Sequence, residues 1–222
     1  RSRITAEMGD LLLKGGDMKR ARTTLAGVLA APSADPVAVL TAARALATVY
    51  AGEGDVKNLV EVLGKIGELS SNEDEKQAAN ERIAEICGNE LHDIERAIAA
   101  WRRLVNSPAR QRALAALEPL YEERKQWGDL AFVLEERAKD TEDEAEARAL
   151  AFHAAEVRTS QAGDPAAAVE SWRALIMRFG AARDAYAHYL PLLESERKWP
   201  ELAEALTKDA ELAGEDEQPE IL

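Results

Sequence analysis

The chain has 222 residues, 41 of them acidic and 28 basic, for a formal charge of −13; 46% are hydrophobic and only 5% aromatic. This balance rules out a disordered chain and argues against a phosphate-tracking nucleic-acid binder or an anchor on an anionic membrane, both of which need a basic surface. No apolar run approaches the ~20 residues of a membrane helix, and the single cysteine, Cys87, cannot close an internal disulfide.

Alanine, the strongest helix former, makes up roughly a fifth of the chain. Apolar periodicity predicts twelve helices, near 3–14, 17–30, 36–52, 55–69, 72–89, 93–106, 108–125, 129–139, 141–161, 164–179, 181–197 and 200–212. No stretch alternates long enough to be a strand. The first helix stops at Gly16-Asp17, and the same dipeptide recurs at Gly54-Asp55, Gly128-Asp129 and Gly163-Asp164. His92-Asp93 and Pro200-Glu201 hold the same place with one or both residues changed. Glycine tolerates the left-handed geometry that ends a helix, and aspartate caps the next one through a free backbone N–H. The acidic marks at 17, 55, 93, 129, 164 and 201 are 38, 38, 36, 35 and 37 residues apart. Each period is therefore a helical hairpin.

Four residues after each mark stand Ala21, Leu59, Ala97, Val133, Ala168 and Ala205, all apolar. Eight after stand Leu25, Leu63, Trp101 and Trp172, with Arg137 and Asp209 as exceptions. A longer period overlies this one. Tyr50 and Tyr121, Leu59 and Leu130, and Trp101 and Trp172 are each 71 apart, while Trp127 and Trp199 are 72 apart. The duplicated unit is thus a four-helix block, near 36–107 and 108–179, with partial blocks at both ends. Asp35-Pro36, Ser107-Pro108 and Asp164-Pro165 pair a cap with Pro at the first helical position, and Thr141-Glu142-Asp143-Glu144 reads as a capping box. Residues 213–222 read as an acidic frayed tail.

Gly9 or Ala47 eight before the acid, Gly16-Asp17 or Gly163-Asp164 at the turn, Ala21 or Ala97 four on, Leu25 or Trp101 eight on and Pro32 or Pro108 fifteen on resemble a tetratricopeptide repeat. The resemblance covers about 3–212, and the period exceeds the standard 34 residues. Glu81, Glu85, Glu156 and Arg137 depart from the family pattern. The resemblance implies an all-α solenoid of about six antiparallel hairpins forming one domain over 1–212, a right-handed superhelix whose first helices line a concave groove for a peptide or partner helix. The matching groove positions are Arg44 and Thr48, Arg82 and Ile86, Glu118 and Glu122, and His153 and Val157. The site expected is Arg44, Arg82, Glu118, Glu122 and His153. The Lys and Asn of the family's carboxylate clamp are missing.

Other chemistry is not found. His92, His153 and His188 have no metal-ligand spacing, and there is no phosphate loop, dinucleotide fingerprint or nucleophile elbow. Cys87, beside Ile83, Ala84 and Ile86, reads as a small buried hydrophobe. Recurrence of Trp101 with Trp172, and of Trp127 with Trp199, favours packing between hairpins. The Arg-over-Lys, Ala-rich composition points to a bacterial, GC-rich source. The chain opens Arg-Ser-Arg with no signal segment and reads as a piece of a longer protein, cytoplasmic rather than periplasmic. The expected function is a non-enzymatic protein-interaction scaffold needing no cofactor or metal. Its partner would be a protein or peptide, not nucleic acid and not a membrane interior. The alternative is a spacer or self-assembly module.

Overall fold

The structure, a computed structural model, describes residues 1–216. Twelve helices are present and, among the described residues, no strand: α1 Ser2–Lys14, α2 Met18–Ala30, α3 Pro36–Glu53, α4 Val56–Leu69, α5 Glu73–Asn89, α6 Ile94–Arg102, α7 Arg110–Glu123, α8 Trp127–Asp140, α9 Glu144–Ser160, α10 Pro165–Phe179, α11 Arg183–Ser195 and α12 Trp199–Asp216. The last helix outruns its expected end, and the rest of the expected acidic tail lies outside the described residues. The chain divides into two compact units, Arg1–Ala113 and Leu114 onward. In the first, α3 packs on both α1 and α2, and α4, α5 and α6 each pack on the helix before. In the second, α8 packs on α9, α9 on α10, α10 on α11 and α11 on α12. Each unit is thus a run of helical hairpins.

Four of the six acidic marks are N-caps. Asp17, Asp55, Asp93 and Asp164 accept from the N–H three residues on, at 3.2, 3.3, 3.1 and 3.0 Å. Gly16, Gly54 and Gly163 take φ of 84°, 69° and 65°, and His92 occupies the same place at 53°. The other two marks are corrected. Asp129 and Glu201 lie in the first turns of α8 and α12, not before them. The left-handed residues there are Lys125 (φ 54°) and Arg197 (φ 56°), followed by Gln126 and Lys198.

Backbone bonds establish the equivalence. The N–H groups of Asp17, Asp55, Gln126 and Lys198 each donate to the carbonyl five residues back, at 2.9–3.0 Å, which is the helix-ending bond of a Schellman turn. The true series is therefore 17, 55, 93, 126, 164 and 198. Four residues on, alanine and leucine now alternate: Ala21, Leu59, Ala97, Leu130, Ala168, Leu202. Eight on stand Leu25, Leu63, Trp101, Leu134, Trp172 and Leu206, and the exceptions Arg137 and Asp209 disappear. From Leu59 onward the alternation repeats every 71 or 72 residues, the length of two hairpins, while Ala21 and Ala97 are 76 apart.

Three other boundaries move. Helix α6 stops at Arg102, and residues up to Ala109 turn without helix, so α7 starts at Arg110 rather than at Pro108; Ser107 Oγ caps the turn, accepting from Ala109 N at 3.1 Å. The cap of α9 is Asp143, not Thr141, and accepts from the N–H groups of Ala145 and Glu146. Asn72 caps α5 in the same way.

Small residues set the packing distances. Ala21, Ala42, Ala97 and Ala168 are fully buried. Gly9 admits Leu25 so closely that a Cβ at Gly9 would lie 2.5 Å from a Leu25 methyl. In the second unit Trp172 is the centre of the core. It is fully buried, edge-on to Phe152 at 4.9 Å, stacked on His188 at 5.0 Å, and donates Nε1–H to Thr159 Oγ1 at 2.9 Å. Cys87 is fully buried, and burial raises its thiol pKa. Trp101 packs inside as expected, but Trp199 is 56% exposed, because it opens α12 rather than closing the turn before it.

Candidate functional site

The first helices of the hairpins (α1, α3, α5, α7, α9, α11) present alternate faces. One is alanine and leucine facing the core; the other carries charge. On α3, Ala42, Ala43, Ala45 and Leu46 are buried while Arg44 and Thr48 are exposed. Arg44 places Nε and Nη2 each 2.7 Å from the two oxygens of Glu75 on α5. Glu75 also accepts from the hydroxyl of the buried Ser70. The guanidinium and this hydroxyl hold the Glu75 carboxyl at about 2, and the carboxylate raises Arg44 in turn.

Further along, exposed Arg82 lies 3.5 Å from Glu85. Glu85 is held more closely by Arg112, whose two terminal nitrogens reach Glu85 at 2.6 Å and Glu81 at 2.8 Å. Arg112 also lies 5.8 Å from the Trp101 ring. Glu81 and Glu85, which break the family pattern in the sequence, are therefore the acceptors of the next first helix. In the second unit Glu118 pairs with Arg137 of α8, which accounts for that arginine as well. Glu122 and His153 are exposed. Arg148 of α9 clips both oxygens of Asp184 on α11 at 2.8 Å and lowers its pKa. Ile86 and Val157 are not groove residues: both are buried, because they fall on the core side of α5 and α9.

Each unit thus joins successive first helices by arginine–carboxylate pairs: Arg3 with Asp35, Arg44 with Glu75, Arg112 with Glu81, and Arg148 with Asp184. The sequence reading found Arg44 and Arg82 but missed Glu75, Arg112 and Asp184. The available signal was spacing, since Arg44–Glu75 and Glu81–Arg112 are both 31 residues apart.

Grooves also lie between successive second helices. In the first unit a concavity of about 280 Å³ runs along α4, α5 and α6, and in the second one of about 470 Å³ runs along α8, α9 and α10. The described residues contain no group of three or more His, Cys, Asp and Glu able to hold a metal ion, and no helix long and apolar enough to cross a membrane.

No family model matches the chain, and no curated protein matches it. Among solved structures, a tetratricopeptide repeat protein from Parabacteroides merdae is similar, with 18% identity over 98% of this chain and 80% of that chain, at a TM-score of 0.40.

Proposed function

We propose that the chain is a non-catalytic protein-interaction scaffold that holds a peptide or a partner helix against the exposed faces of its first helices. The residues assigned to contact are Arg44 and Arg82 in the first unit and Glu118, Glu122 and His153 in the second. The observation supporting this reading is the series of arginine–carboxylate clips between successive first helices. They order long side chains before any partner arrives, so less side-chain entropy remains to be lost on binding. Arg44 meets an acidic partner group only by sharing or exchanging Glu75, whereas Arg82, at 3.5 Å from Glu85, is more loosely held.

The test is affinity capture with the purified chain, then repetition with Arg44→Glu combined with Arg82→Glu. Loss of a captured protein at least tenfold supports the assignment, and unchanged capture removes both residues from it.

A second reading, a self-assembly module, is favoured by one observation. Ile4, Met8 and Leu11 form an exposed apolar stripe on α1, while Ala42, Leu46 and Val49, at the same places before the next turn, are buried. Light scattering over a hundredfold concentration range decides it: a strict monomer counts against self-assembly.

A further inference from the structure

The two second-helix grooves occupy equivalent places in the repeat, yet the first is narrowed by arginine side chains and the second is larger. In the first unit Arg103, the residue that follows α6, donates to the buried Asn80 of α5 at 3.3 Å, and Arg96 of α6 donates to Glu61 of α4 at 2.9 Å. Arg96 and Arg103 line the concavity and narrow it. Their counterparts 71 residues later are all non-polar. Asn80 and Arg103 become Ala151 and Ala174, and Glu61 and Arg96 become Phe132 and Ala167. Three of these positions, Asn80, Arg96 and Arg103, give way to alanine, while Gly64, Ala99 and Ala100 become Glu135, Glu170 and Ser171, so the second concavity is larger where the alanines stand and carries its charge elsewhere.

We propose that the α8–α10 groove is a docking site for a large apolar side chain, Leu or Phe, carried next to a carboxylate on a partner segment. The walls are Ala138, Ala151, Ala167, Ala174, Leu175 and Phe179. A volume of about 470 Å³ holds one such side chain and the backbone beside it. The equivalent groove already admits side chains of the chain itself, the stems of Arg96 and Arg103. Charge selects the neighbour. Two acids and three bases line the groove in a chain of net charge −13. Both acids are engaged: Glu135 takes Arg158 Nε and Nη2 at 2.8 and 3.0 Å and the Ser171 hydroxyl at 2.7 Å, and Glu170 takes Arg173 at 2.6 Å. Lys139 pairs with Glu136. Arg178 lies 4.8 Å over the Phe179 ring and, among the described residues, pairs with no carboxylate. It is the groove's open cation, beside the aromatic wall. The site uses Ala151 and Arg158 of α9 but none of Glu118, Glu122 and His153, and it stands without them.

The experiment uses the full chain with alanine methyl groups labelled for NMR. The probes are acetyl-Phe-Glu-amide, acetyl-Phe-Lys-amide and acetyl-Gly-Glu-amide. The expected result is saturable shifts at the methyls of Ala138, Ala151, Ala167 and Ala174 with the first probe, binding about threefold weaker with the second, and no response with the third. Ala151→Asn with Ala174→Arg, which rebuilds the first unit's pair, is expected to abolish the shifts at Ala138 and Ala167 while leaving the methyls of the first unit unchanged. Should that pair unfold the unit, Ala174→Arg alone, at an exposed position, serves. Arg178→Glu is expected to reverse the preference between Glu and Lys. No shifts at the solubility limit, or equal response at Ala138 and Ala167 in the filled variant, would overturn the site. Equal affinity for the Glu and Lys probes would overturn the acidic neighbour.

Discussion

Arg44 and Glu75 meet in parallel, Nε 2.7 Å from Oε1 and Nη2 2.7 Å from Oε2, although each residue sits on a separate hairpin's first helix. The side chains are 50% and 28% exposed, so water screens the pair, and its worth is about 1 kcal/mol rather than several. Its pH dependence follows from the carboxylate. Folding lowers Glu75 from an ordinary 4.5 to about 2, so the native state favours the ionised form. The stabilisation is complete above about pH 4.5 and is lost as pH falls through about 2. Glu75→Gln is therefore expected to cost about 1 kcal/mol in urea unfolding at pH 7, and the difference from the unaltered chain should shrink steadily as pH falls from about 4.5 and vanish only below about 2. A difference that stays constant with pH means that the pair contributes nothing.

The approach of Gly9 to Leu25 sets a second expectation. A Cβ built at Gly9 meets Leu25 Cδ2 at 2.5 Å and Cγ at 2.6 Å, and Leu25 is fully buried. Alanine is the better helix former by about 1 kcal/mol, but overpacking costs about 1–3. Gly9→Ala is expected to destabilise the chain by about 1 kcal/mol net. Gly27→Ala on α2, where nothing lies within 4 Å of the added methyl, should instead stabilise it by about 0.5–1 kcal/mol. If the two substitutions move the urea midpoint in the same direction, α1 and α2 do not meet through Gly9.

The turns into α8 and α12 lack the residues that their geometry favours. Lys125 takes a left-handed φ of 54°, and Gln126 caps α8 without a side-chain hydrogen bond. Lys125→Gly with Gln126→Asp rebuilds the Gly-Asp of the other turns and is expected to add about 1–2 kcal/mol. The converse contrast concerns the two kinds of aspartate. Asp164→Ala removes a cap bond of 3.0 Å and should cost about 1 kcal/mol, whereas Asp129→Ala removes only a first-turn charge, worth about 0.3 kcal/mol. Equal costs would mean that Asp129 is a cap after all.

These turns also mark where the sequence is legible. The helix ends at Gly16-Asp17, Gly54-Asp55 and Gly163-Asp164 are placed to within about a residue, because the left-handed glycine and the capping carboxylate are local chemistry, but Gly128-Asp129 carries the same dipeptide inside α8. Lys125-Gln126 and Arg197-Lys198 do the same job with residues that carry no such signature, so the nearest acid, three residues on, drew the mark away. The 71-residue period was readable because Tyr50 with Tyr121 and Trp101 with Trp172 answer to packing, which does not depend on the turn. The arginine pairs were not readable one residue at a time. Arg44 looks open to a ligand until the fold brings Glu75 beside it from 31 residues away. The larger groove of the second unit was missed for a related reason: an alanine is conspicuous only beside the arginine that fills its place elsewhere in the repeat.

Equal repeat positions with unequal burial give the last expectation. Met8 and Leu46 both lie nine residues before their acid, and Leu11 and Val49 six before. Met8 and Leu11 are 50% and 67% exposed, while Leu46 and Val49 are buried at 0% and 4%. Truncating the buried pair leaves cavities, so Leu46→Ala is expected to cost about 2–5 kcal/mol and Val49→Ala somewhat less. Met8→Lys with Leu11→Lys should leave unfolding of the dilute chain within about 0.5 kcal/mol. The same pair reports on the self-assembly reading. If the α1 stripe joins copies, the lysines should abolish any concentration-dependent rise in scattering. A chain that associates equally well with and without them uses another surface.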